Sequence, residues 1–215
     1  MEVRQGMSAN VLENLKSFGI NVEHRTNPEK IIKTRYIDER YNHHILRLDR
    51  ENRLYPFRDV LPSGNYDAVV ISDYDKGFLT FDKILQIVET YDCPIFIDSK
   101  KHVLPQRDEC FIKINQREFS QLQVKLTNAI VTVGERGAVY RDELYPTDKV
   151  PVSDLVGAGD TFLAALTYDY LCTKDISHAI MFANKAAAIA VQHPGTYVLQ
   201  KHDVDYLDSL SIEVK

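Results

Sequence analysis

The sequence predicts an α/β protein: a three-layer αβα sandwich whose mostly parallel sheet is covered by helices on both faces, with a small antiparallel β lid standing apart. Three observations predict it. Short apolar runs alternate with segments of helical period, in the order strand, helix, strand. Those runs are apolar at consecutive positions, as strands buried on both faces are. One stretch alone alternates charged with apolar residues, the pattern of a sheet with two unlike faces.

That alternating stretch comes first in the chain. From Ile31 to Leu48, β-branched and aromatic residues interleave with charged ones around a polar turn near Tyr41 and Asn42, which predicts a two-sided hairpin. His43 and His44 read as exposed turn residues, and their spacing does not suggest metal binding. Four runs then predict parallel strands: Asp67 to Ser72 (DAVVIS), Pro94 to Asp98 (PIFID), Phe111 to Ile114 (FIKI) and Ala129 to Val133 (AIVTV). Between the first two, Ile84, Leu85, Ile87 and Val88 fall on one helical face behind Thr80, a residue suited to capping. A further helix runs from about Gly157 to Leu171, and another from about Ile176 to Gln192, closed by Pro194 and Gly195. With no internal repeat, low-complexity tract or linker, residues 1–215 read as one domain with the lid around residues 31–49.

Composition narrows the function. At 215 residues, with 44% hydrophobic and 27% charged, the chain can bury a sizeable core. A net charge of -5, from 26 basic and 31 acidic residues, argues against nucleic acid as a partner, since backbone binding rests on clustered positive charge. A local basic pocket for a phosphorylated small molecule remains compatible with that balance. No apolar run is long enough to span a bilayer, and Met1 to Asn10 has no basic region followed by an apolar core, which predicts a cytosolic protein without a membrane partner. Cys93, Cys110 and Cys172 are widely separated in apolar surroundings and predict buried reduced thiols.

The chemistry is concentrated in Asp154 to Phe162, DLVGAGDTF. Gly157, Ala158 and Gly159 carry almost no side chain, so their amides can approach a ligand where an apolar helix begins, and a helix N-terminus is an anion site. Asp160 stands at its rim, where a carboxylate can accept a proton from an attacking hydroxyl. Taken alone, the same residues also fit a glycine-rich helix start with a first-turn acid that complements the dipole.

GAGD before an apolar helix resembles the second signature of the PfkB or ribokinase-like carbohydrate kinases, and other blocks stand in that family's order. Gly6 to Val11 (GMSANV) is similar to its glycine-rich sugar-binding element, Asn115 to Glu118 (NQRE) to its NxxE motif, Thr132 to Gly137 (TVGERG) to its nucleotide loop, and Phe182 to Ala188 (FANKAAA) to its adenine-side helix. KTR at Lys33 to Arg35, LRLD at Leu46 to Asp49, SDYDKG at Ser72 to Gly77 and IDSKK at Ile97 to Lys101 look most like the heptose-7-phosphate kinases within it.

The resemblance implies a ribokinase-like fold, ATP and Mg²⁺ as cofactors, and a sugar or sugar phosphate as acceptor. It implies that Asp160 is the general base and that the amides of Gly157, Ala158 and Gly159 form the anion hole. Asn115, Thr132, Gly134, Gly137 and Asn184 would contact the nucleotide, and Glu118 would act on Mg²⁺ through water. Gly6, Asn10, Lys33, Arg35 and Arg47 would hold the sugar substrate, and the lid would serve as a homodimer surface. Each role has a plainer counterpart in the residues themselves. Asn115 and Glu118 fit a capping box, Thr132 to Gly137 a hairpin turn, and Asn184 sits among alanines that suit close helix packing. Lys76, Lys100 and Lys101 add positive charge that would be solvated singly and would bind phosphate if convergent.

Departures from the pattern bear on the sugar half. Val156 replaces the small polar residue usual near Asp154, so the resemblance does not imply activation by a monovalent cation. Gln5 stands where the first glycine of the sugar element is expected, and the chain starts five residues before Gly6, where the family has a first strand with an acidic sugar contact. Between Ile20 and Lys33 a further strand and helix are lacking. These shortenings open a second reading, a catalytically impaired nucleotide-binding or assembly module of the same fold. A dinucleotide oxidoreductase is disfavoured, because no early GxGxxG follows a strand with an acid about 20 residues on.

Overall fold

The structure is a computed structural model that describes residues 6–38, 40, 43–50, 52 and 54–212. In chain order its strands are β1 (Ile32–Asp38), β2 (His43–Arg50), β3 (Val69–Asp73), β4 (Ile95–Ser99), β5 (Cys110–Asn115), β6 (Ala129–Thr132), β7 (Ala138–Tyr140) and β8 (Glu143–Tyr145). The helices are α1 (Ser8–Ser17), α2 (Phe81–Thr90), α3 (Gln116–Phe119), α4 (Ala158–Thr173), α5 (Ile176–Ala190) and α6 (Lys201–Ile212). β3 to β8 form one sheet in that order, parallel through β6 and antiparallel over the last two pairs.

Consecutive apolar residues are needed because helices cover both faces. Phe96, Phe111 and Ile130 point into a core shared with α1, α4 and α5. Their neighbours Ile95, Ile97, Ile112, Ile114, Ala129 and Val131 point into a second core under α2. Strand side chains alternate between faces, so both layers must be apolar for the run to be continuous. The same alternation carries Asp98 and Lys113, each one step beyond a buried Ile, onto the α4 face at the carboxyl ends of β4 and β5.

The helices follow from their surroundings. α2 buries Ile84, Ile87 and Val88, and the Thr80 hydroxyl accepts the Lys83 amide at 3.2 Å as the predicted cap. α4 is buried nearly all round, with Phe162, Leu163, Ala164, Ala165 and Leu166 in succession, because α1, α5 and the sheet enclose it. Small residues such as Ala179, Ala183 and Ala186 let α5 lie close against it.

Several expectations need correction. α1, which starts at Ser8, and α6 are helices that the sequence does not predict. α1 escapes a hydropathy reading because its buried face mixes Val11 and Leu15 with Asn10 and Asn14, both fully buried. His43 and His44 open β2 rather than occupy the turn, and Tyr41 and Asn42 lie outside the described residues. Of the three free thiols only Cys110 is buried; Cys172 is exposed on the outer side of α4.

Candidate active site

The carboxyl ends of β3 to β6 meet the N-terminus of α4, the place where ligands bind in open α/β sheets. Gly157 caps α4 in the left-handed region at φ 85°, which glycine reaches without steric cost. A Cβ there would stand 2.9 Å from Asn10 Nδ2, so the glycine also lets α1 approach. Asp160, in the first turn, is 4% exposed.

Two elements fix its carboxylate. Asn10 Nδ2 donates to Oδ2 at 3.2 Å from α1, and the Tyr74 hydroxyl donates to Oδ1 at 3.1 Å from the loop after β3. Burial disfavours the charged form and the nearby Asp98 adds to this; Asn10, Lys113 and Tyr74 pull the other way. The balance leaves the Asp160 pKa raised to about 6. A carboxyl with that value is ionised at neutral pH yet basic enough to take a proton.

Beneath the start of α4 lies a buried ion pair. Asp98 and Lys113 are register partners on β4 and β5, and Lys113 Nζ meets Asp98 Oδ2 at 2.6 Å. A Cβ on Gly159 would stand 2.5 Å from that ammonium, so the glycine makes room for a positive charge against the helix amides. Lys100 Nζ reaches Glu118 Oε1 at 2.5 Å and stands 3.7 Å from Asp98 Oδ1. Burial works against its charge, but Asp98 and Glu118 outweigh that and hold the Lys100 pKa above the usual lysine value. Next to this cluster, Asp73 accepts the Ser99 hydroxyl at 2.8 Å and faces Lys101 at 3.4 Å.

The hairpin reaches the same place. Lys33 Nζ lies 5.1 Å from the Tyr74 ring centroid, and Lys100 Nζ lies 5.5 Å from it. Arg35 is paired in register with Arg47, and Lys33 with Asp49, so these four share one hairpin face. Arg47 is itself held by Asp49 in a two-pronged contact of 2.7 and 2.5 Å. The other face leaves Ile32, Tyr36, Leu46 and Leu48 exposed.

For the remaining residues the plainer counterparts are all present. Asn115 and Glu118 form a reciprocal capping box on α3, with Asn115 Oδ1 accepting the Glu118 amide at 2.9 Å. Thr132, Gly134 and Gly137 lie at the β6–β7 hairpin turn, at the ligand end of β6. Asn184 spends its side-chain amide on the Tyr145 carbonyl at 2.8 Å. Gly6 is exposed, just ahead of α1. Asp154 accepts the Val156 and Gly195 amides, each at 3.0 Å, which ties two loops together.

Asn10, Lys33 and Asp160 are thus gathered around one point, while Asn184 and the 132–137 turn stand further along the sheet end. Three residues at that point have no role assigned from the sequence: Tyr74 and Asp98, which lie within the SDYDKG and IDSKK blocks, and Lys113. A lysine inside the apolar FIKI run is the available signal for the last, since a charge there needs a buried partner.

This architecture is shared with solved protein structures. The ribokinase of Thermotoga maritima superposes with a TM-score of 0.54 at 20% identity, covering 66% of this chain and 57% of that one. The chain therefore has the ribokinase-like fold. The profile of the pfkB family carbohydrate kinases matches residues 113–202, which contain NQRE, TVGERG and GAGD, and these residues belong to that family. The Bifunctional protein HldE of a Nitratiruptor species is 31% identical over 198 residues, covering 76% of this chain and 42% of its own length. The protein of the same name from Campylobacter jejuni (strain RM1221) is 26% identical over 268 residues, covering 99% of this chain and 58% of its own. This chain thus spans about half the length of these relatives. The second alignment is longer than the chain's 215 residues, so the relative carries residues inside it that this chain lacks.

Proposed function

We propose that this chain is an ATP-dependent carbohydrate kinase that transfers the γ-phosphoryl group to a hydroxyl of a sugar or sugar phosphate resembling heptose 7-phosphate. The observation that carries the reading is the Asp160 carboxylate, buried and held from two sides in the first turn of a helix whose start is backed by the Lys113 ammonium. Phosphoryl transfer needs positioning and charge neutralisation more than covalent chemistry, and a base beside an anion hole provides both.

In this reading Asp160 takes the proton of the attacking sugar hydroxyl. The amides of Gly157, Ala158 and Gly159, with Lys113 behind them, stabilise charge on the transferring group. The turn of Thr132, Gly134 and Gly137, with Asn115 and Asn184, borders the nucleotide. Lys33, Arg35 and Arg47 of the hairpin face, with Asn10 and Gly6, border the sugar. Mg²⁺ bound through nucleotide phosphates needs only one or two protein carboxylates, and Glu118 at the cleft fits that requirement. When bound, it supplies charge neutralisation on the phosphates. Residues 1–215 act as one cytoplasmic kinase domain, residues 31–49 are its lid, and the lid's exposed apolar face suits a homodimer.

The second reading is a nucleotide-binding or assembly module without transfer activity, favoured by the outer edge of β3, which pairs with no strand among the described residues. Calorimetry with MgATP, followed by a product assay over a panel of sugars and sugar phosphates, separates the two. The kinase reading requires nucleotide binding and a phosphorylated product; binding with no product across the panel establishes the module instead.

A further inference from the structure

We propose that Tyr74 is a positioning residue for the Asp160 base, and that through it the hairpin senses and sets that base; the inference rests on the kinase reading above. Tyr74 follows β3 directly, and its side chain touches both the carboxylate and the hairpin, by its hydroxyl at 3.1 Å and by its ring at 5.1 Å from Lys33.

The geometry suits positioning rather than proton transfer. A carboxylate offers about four lone-pair sites. Asn10 takes one on Oδ2 and Tyr74 one on Oδ1, so the plane of the group is fixed while each oxygen keeps a site for a substrate hydroxyl. Burial and the Asp160 charge hold the phenol far above the ordinary tyrosine range, so it stays a neutral donor at any working pH. Lys33 and Lys100 near the ring draw electron density from the phenol and strengthen its O–H as a donor. Lys33 belongs to β1 and Lys100 follows β4, so the strength of that donor depends on where the hairpin stands. The charged groups facing Asp160 are Asp98 and Lys113 from β4 and β5 and Lys100 just after β4, and those facing Tyr74 are Asp98, Asp160, Glu118, Lys33 and Lys100.

The test is Tyr74→Phe in the full chain, read in two ways. The carboxyl resonance of Asp160, identified by its loss in Asp160→Asn, is titrated by carbon NMR. Removal of the donor raises its apparent pKa by about one unit, while Tyr66→Phe, whose hydroxyl serves Glu23 at the surface, leaves it in place. In turnover, Tyr74→Phe lowers kcat about tenfold or more with KM changed less than about twofold, since the interaction is lost at the base and not in substrate binding. Lys33→Met keeps the hydroxyl and gives a smaller pKa rise in the same direction. An unmoved Asp160 titration in Tyr74→Phe, or an equal shift in Tyr66→Phe, overturns the proposal. A wild-type chain without transfer activity defeats the kinase reading, whereas the titration still decides whether Tyr74 sets Asp160.

Discussion

Asp160 is a residue whose function and stability pull in opposite directions. Its carboxyl titrates near 6 in the folded chain against an ordinary value of 3.8. Between those values the folded state binds more protons than the unfolded one. The associated stability is therefore present below about pH 4 and lost as pH rises through 6. Above that, the buried charge costs on the order of 3 kcal/mol. Asp160→Asn removes the charge, so urea denaturation at pH 8 should find the variant more stable than wild type by up to about 3 kcal/mol, and the gain should vanish near pH 4. A variant less stable at pH 8 would show that Asn10 and Tyr74 support the charge more than burial opposes it. The proposed role of Asp160 is legible in GAGD because the carboxylate and the helix-start amides are local. Those of Tyr74 and Lys113 are not, because they arise where β3, β5 and α4 converge, and no spacing along the chain encodes that.

At the scale of elements, the parallel strands are the most legible feature, since burial on both faces writes itself as an unbroken apolar run. Helices with mixed faces are the least legible, and α1 shows why: its buried asparagines bind each other and Asp160, so polar letters mark the inside. The β6–β7 turn, proposed above to border the nucleotide, carries a structural demand of its own. Gly137 has φ 101°, and a Cβ there would lie 2.1 Å from the Tyr145 carbonyl oxygen, the atom that Asn184 also engages. Gly137→Ala forces both a strained backbone and a clash, so it should cost about 3 kcal/mol or more. The check is the urea midpoint at unchanged m; a loss under about 0.5 kcal/mol would mean that the turn rearranges freely. The family likeness and the fold thus meet in one glycine, which serves the turn whether or not nucleotide is bound.

For the whole molecule, the two sides of the sheet end are unequally built. The sheet end around Asp160, Lys113 and Glu118 is cross-linked by ion pairs, whereas β3 is, among the described residues, an edge strand beside a cavity of about 610 Å³ lined by Val11, Tyr66, Ser72 and Leu171 among others. The longer alignment with the Campylobacter jejuni protein shows that the relative carries residues inside it that this chain lacks. On the proposed kinase reading, the sheet end around Asp160 suffices for catalysis with Asp160 as base. The most direct test of that reading is the initial rate of MgATP-dependent phosphoryl transfer to heptose 7-phosphate by wild type and by Asp160→Asn at pH 7.5. Measurable product from the wild type and a rate lower by roughly 10²-fold or more in the variant are the predicted result; equal rates in the two would contradict it.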